Sequence, residues 1–81
     1  MKARVYVTLK PSVFDPQGSV VARALTSMGY TDVKDVRQGK FFEVELDDED
    51  ATTAKARVTE MADKLLANPV IESYRVEILP L

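Results

Sequence analysis

Apolar and polar positions alternate without a break over residues 2–9, KARVYVTL. Ala3, Val5, Val7 and Leu9 face one side; Lys2, Arg4, Tyr6 and Thr8 face the other. This pattern predicts a half-buried β-strand. Lys10-Pro11 ends it, because proline cannot donate to a strand ladder. The period then changes. Val20, Val21, Ala24, Leu25 and Met28 form one stripe at helical spacing, with Arg23 and Ser27 off it, which predicts a helix over 16–28. Asp15 is placed to cap that helix and Pro16 suits its first position. Gly29 stands where a left-handed cap would close it.

Residues 33–46, VKDVRQGKFFEVEL, return to a strand-like pattern. Phe42, Val44 and Leu46 share one face, Phe41, Glu43 and Glu45 the other. Gln38-Gly39 lies between two such runs, and Gly39 supplies the positive φ that a tight hairpin needs. After the acidic run Asp47-Asp48-Glu49-Asp50, helical spacing resumes at Ala54, Val58, Met61, Ala62, Leu65 and Leu66. Glu60 and Lys64 sit four apart in the favourable order. Asn68-Pro69 ends the helix near Ala67, since a residue before proline avoids helical dihedrals. A last strand covers 70–79, with Tyr74, Val76 and Ile78 opposite Ser73, Arg75 and Glu77. The order β-α-β-β-α-β predicts an α+β fold: a four-stranded antiparallel sheet with two helices on one face, ferredoxin-like in outline. Tyr6 and Phe41 would lie on the face without helices.

The 81 residues suffice for one domain spanning 1–81, with a thin core. Association with another chain is therefore expected. No apolar run approaches the length of a membrane span, and the N-terminal residues lack a signal-peptide pattern, so no membrane role and a cytoplasmic location are expected. Cysteine and histidine are both absent. That excludes thiol nucleophiles, disulfides, the usual zinc sites and histidine acid–base chemistry. Eleven basic against 13 acidic residues give a net charge of −2, which argues against nucleic-acid binding.

Several stretches invite a chemical reading. Asp15-Pro16-Gln17-Gly18 has one glycine and no following Lys-Ser/Thr pair, so it is a capped helix start and not a phosphate loop. Gly18 weakens a helix, and either permits close approach of another backbone or is tolerated near the helix end. The acidic run fails the spacing of a calcium loop; carboxylates gather at a helix N-terminus because the dipole favours them there. Asp35, Arg37 and Lys40 surround the hairpin turn; such charged ends are usually solvated, and the alternative is that exposed Arg37-Gln38-Gly39-Lys40 contacts a phosphate or an acidic partner. Asn68 to Glu72 is a connector that would expose two apolar residues. Ser12, Ser19, Ser27 and Ser73 have no histidine base, so no catalytic residue, cofactor site or metal site is expected.

Taken together, VYVTLKPSVFDPQGSVVARAL, DVRQGKFFEVEL and LLANPVIESYRVEIL resemble the PurS family, the small subunit of phosphoribosylformylglycinamidine synthase. The resemblance runs from Arg4 to Leu79, and its specificity lies in the ordered set KP, DPQG, GY, DVRxGK, FExEL and NPVIExY. It departs at Gln38, where the family often carries an apolar residue. The resemblance implies a PurS-like fold and a non-catalytic subunit of a three-polypeptide enzyme of de novo purine synthesis. That enzyme converts formylglycinamide ribonucleotide with glutamine and ATP. A large synthase subunit would hold ATP and magnesium, a glutaminase subunit would release ammonia, and this chain would bridge them and aid ammonia transfer. A homodimer or larger oligomer is implied. Partner contacts are then expected at the helix entry (Asp15, Gln17, Gly18), the turn (Arg37, Gly39, Lys40) and the connector (Asn68, Val70, Glu72). Self-association is expected through Tyr6 and Phe41.

One other class shares the element order, and a further one is an RNA-binding four-stranded sheet. An ACT-type regulatory module would bind amino acids near a glycine after the first strand, where this chain has Pro11 and Ser12. An RNA-binding sheet would need paired aromatics and a basic signature; Tyr6 and Phe41 are present and the signature is not.

Overall fold

β1 (Lys2–Leu9) is the central strand of a three-stranded antiparallel sheet, flanked by β2 (Gly39–Glu45) and β3 (Glu72–Leu79). The computed structural model describes residues 1–47 and 50–79. Thr8 stands opposite Gly39 and Ser73, and Val5 opposite Phe42 and Val76. The alternation in β1 therefore sorts its residues as expected: Ala3, Val5 and Val7 are buried on one face. Helix α2 (Ala51–Met61) covers that face over β1 and β3. Ala54, Val58 and Ala62, four apart, are fully buried against it. Every buried apolar side chain among the described residues is alanine or valine. Small residues let α2 approach the strands closely, but the core they build is modest.

Asp50 caps α2, accepting from the Thr52 amide at 3.2 Å and the Thr53 hydroxyl at 2.8 Å. Those bonds hold its carboxyl below the ordinary carboxylate range. Of the acidic run, Asp48 and Glu49 lie outside the described residues. At its far end α2 widens into a π-helical turn, Ala62–Leu66, closed by the Ala67 amide on the Ala62 carbonyl at 2.9 Å. The extra residue per turn changes the phase. Leu66 packs against the core, whereas Leu65, expected on the same stripe, is 83% exposed.

Helix α1 (Pro16–Ser27) forms where the period placed it, and Gly29 at φ 104° closes it. The Tyr30 amide bonds the Leu25 carbonyl and the Gly29 amide the Thr26 carbonyl, a Schellman motif. What it does not do is pack on its own sheet. Gly18 is its single buried residue, while Val20 and Met28 are 56% and 70% exposed. The radius of gyration is 15.9 Å, against about 12 Å for a compact chain of this length. The expected pair of helices on one face is thus corrected to one packed helix and one projecting helix.

The expected fourth strand is also corrected. Residues 33–38 form no strand, so Gln38-Gly39 is no hairpin turn and Gly39 has no positive φ. Gly39 instead opens β2 in extended conformation, so close to the Val7 carbonyl that a Cβ would not fit. Arg37 and Gln38 bond at the entry of α1 instead: Arg37 to the Lys10 and Val13 carbonyls, with a longer bond of 3.5 Å to the Leu9 carbonyl at the end of β1, and the Gln38 amide to Asp15.

The phase change at the π turn gives a direct test. Leu66→Ala is expected to cost about 2 kcal/mol, the low end for a leucine that packs on a core. Leu65→Ala should stay within about 0.5 kcal/mol of the parent. Equal losses in urea denaturation would contradict the phase change.

Candidate functional site

The antiparallel register brings three strand ends to one rim: the end of β1 and the starts of β2 and β3. The helix entry, the start of β2 and the connector before β3 all meet there. Asp15, Gln17, Gly39, Lys40 and Glu72 line one cleft of about 500 Å³, together with Thr8, Leu9 and Gln38. Lys40 and Glu72 face each other across it at 3.6 Å. Five of the nine expected contact residues thus share a single concave surface on the helix-bearing side of the sheet. Gly18 lies behind it, Arg37 beside it, and Asn68 and Val70 on the connector outside it.

A seam of polar bonds runs along this rim. The buried Asp15 carboxylate accepts from the Gly18 amide at 2.9 Å with one oxygen and from the Gln38 amide at 2.7 Å with the other. The first bond caps α1; the second ties its entry to the start of β2. Both bonds, with the nearby Arg37 charge, hold the Asp15 carboxyl below its ordinary value of 3.8, so it is ionised at neutral pH. Arg37 donates from one nitrogen to the Lys10 and Val13 carbonyls, each at 2.9 Å. The Gln38 side-chain amide donates to Gln17 at 3.1 Å. Gly18 is explained here: the Val36 carbonyl lies where its Cβ would stand. The backbone that approaches Gly18 belongs to this same chain.

The connector is ordered by its own bonds. The Asn68 side chain accepts from the Val70 amide at 3.0 Å, and its backbone carbonyl accepts from the Glu72 amide at 2.7 Å. The Asn68 amide donates to the Glu72 carboxylate at 2.7 Å, and the Lys10 amide to the Ile71 carbonyl at 2.8 Å. Val70 and Ile71, 76% and 40% exposed, are therefore presented on a fixed backbone.

Tyr6 and Phe41 stand apart from the rim, on the sheet face that carries no helix. They pair across strands at 5.2 Å between ring centroids. The Arg75 guanidinium lies over the Tyr6 ring at 4.2 Å, completing a row across all three strands. In the next row Arg4 reaches Glu43 at 3.5 Å and Glu77 at 3.7 Å. The sequence reading placed the two aromatics on this face but overlooked Arg75, which the cross-strand register alone reveals.

Among the described residues no cluster of histidine, cysteine, aspartate or glutamate is arranged to hold a metal ion, and no helix is long and apolar enough to cross a membrane. A bonded rim, an unpacked amphipathic helix and an open sheet face define a small α+β association module. Comparison with known proteins gives it a family. Residues 2–80 match the family model PurS, phosphoribosylformylglycinamidine (FGAM) synthase. The chain is 53% identical over 77 residues to the phosphoribosylformylglycinamidine synthase subunit PurS of Bacillus subtilis, covering 95% of this chain and 90% of that one. It superposes on the crystal structure of Methanocaldococcus jannaschii PurS with a TM-score of 0.89 at 38% identity, covering 99% and 96% of the two chains. A chain of the PurLQS structure from Thermotoga maritima matches with a TM-score of 0.87 at 33% identity, covering 96% and 95%. The chain belongs to the PurS family. The amino-acid-binding alternative is not favoured.

The contact at Gly18 yields an expectation opposite to that of helix propensity. Gly18→Ala would gain up to about 1 kcal/mol of helix propensity. Overpacking against the Val36 carbonyl should outweigh that gain and destabilise the protein by about 1–3 kcal/mol. A melting temperature unchanged or raised would contradict the close approach.

Proposed function

We propose that this chain is the non-catalytic assembly subunit of a three-polypeptide phosphoribosylformylglycinamidine synthase, acting in the cytoplasm. It holds a large synthase subunit and a glutaminase subunit together and aids the transfer of ammonia between them. The large subunit binds the ribonucleotide, ATP and magnesium. Membership of the PurS family carries this reading, and a relative of known structure within a PurLQS assembly supports it.

The physical form of the chain suits that role. An apolar stripe left in water on α1 is a cost unless another chain covers it. We read the chain as a homodimer in which α1 of one copy lies over the β1–β2 half of the other. Phe42, Val44 and Leu46 are half-buried there, while α2 packs over β1 and β3. Two helices over one sheet face, the arrangement expected within one chain, would then form between two. The open face with Tyr6 and Phe41 offers a second surface for self-association. The cleft residues Asp15, Gln17, Gly39, Lys40 and Glu72, with Arg37, Gly18 and the connector residues Asn68 and Val70, form the rim that meets the partner subunits.

Reconstitution tests the role. Large and glutaminase subunits combined without this chain should lose glutamine-dependent synthesis, and adding it should restore the activity. Synthesis that is the same without it would rule out an assembly role. The dimer is tested separately by Val20→Asp. This variant should keep the circular dichroism spectrum of the parent and sediment as a monomer; sedimentation as a dimer would remove α1 from the interface.

A further inference from the structure

The direction in which α1 leaves the sheet has few supports. The helix packs on neither face of its own sheet, and at its base residues 10–18 meet residues 36–38 along the seam. Between those two anchors lie α1, its Schellman cap and the irregular return through residues 30–35. A helix of 12 residues spans about 18 Å, so a small change of angle at its base displaces its far end by several times as much as its start.

Within the seam, Asp15 alone bonds both sides with charge-assisted bonds to backbone amides: Gly18, the third residue of α1, and Gln38, directly before β2. The two amides approach different oxygens of one carboxylate. Serine and asparagine cap a helix as well as aspartate does. Serine has a single oxygen, and asparagine would turn its amino group towards the Gln38 amide, donor against donor. Capping alone therefore does not require aspartate at this position, whereas holding both amides does. The Asp15 side chain itself is buried, so its carboxylate depends on these amide donors in place of water.

We infer that Asp15 is the positioning residue of the assembly: its carboxylate fixes the angle of α1 to the sheet and so presents the apolar stripe to a second copy of this chain. Arg37 supports the same angle from the other side of the seam, through the Lys10 and Val13 carbonyls. The inference rests on the homodimer proposed above, in which α1 is the element exchanged.

Asp15→Asn and Asp15→Ser separate capping from positioning, because both keep the cap and lose the Gln38 bond. Two readings are taken on each variant: hydrogen exchange of the Gln38 amide and of α1 relative to the central strand β1, and the dimer dissociation constant by sedimentation. Positioning predicts an unchanged β1, faster exchange at Gln38 and in α1, and a dissociation constant raised about tenfold, as for one lost charge-assisted bond. Asn and Ser variants that dimerise and exchange like the parent would overturn it. A parent chain that is monomeric would overturn the homodimer and leave Asp15 judged by the exchange data alone. Should both variants lose β1 protection, Arg37→Lys, at an exposed position, gives the same two readings: loosened α1 with β1 intact supports the seam, and unchanged α1 opposes it.

Discussion

The Asp15 carboxylate is the interaction on which the direction of α1 depends. A three-stranded sheet with one packed helix can stand on its own pattern of valines and alanines. A second helix that does not pack on either sheet face takes its direction from hydrogen bonds at its base. One oxygen of Asp15 ends the helix's need for a cap; the other reaches the Gln38 amide across 23 positions of sequence. The glycine at position 18 belongs to the same requirement, because it lets the Val36 carbonyl close the seam from behind.

This division of labour relates stability to assembly. Among the described residues the buried apolar side chains are all small. Such a core is tight but contributes little for each residue, while Val20 and Val21 of α1 and Met28 at its cap are left in water. Covering them with a second chain, as in the proposed homodimer, would supply burial that 81 residues do not supply alone. The π turn after α2 has a related effect on a smaller scale. It keeps Ala62, Leu66 and Ala67 on the core and turns Leu65 outward, so local phase and not composition decides which leucine is buried.

Much of the local structure was legible in the sequence because it depends on near neighbours. Strict alternation in β1, the helical stripe of α1, the cap at Asp15 and the left-handed close at Gly29 all held. The failures involve contacts between distant segments. Residues 33–38 carry strand-like composition, but Arg37 and the Gln38 amide are committed to the loop before α1, which leaves no ladder for a fourth strand. Gly39 read as a turn glycine because hairpin turns favour glycine; its reason is the Val7 carbonyl in the neighbouring strand. Five of the nine proposed contact residues share one cleft because antiparallel pairing gathers strand ends at one rim. Arg75 was missed because its partner, Tyr6, lies on another strand far away in sequence.

In the proposed homodimer α1 stands off its own sheet and lies on that of a second copy. Isotope-filtered nuclear Overhauser measurements on a mixture of labelled and unlabelled chains test it most directly. Contacts from the methyl groups of Val20, Leu25 and Met28 to Phe42 and Val44 should arise between differently labelled chains. The same contacts found only within one chain would mean that α1 folds back on its own sheet, and would contradict the account.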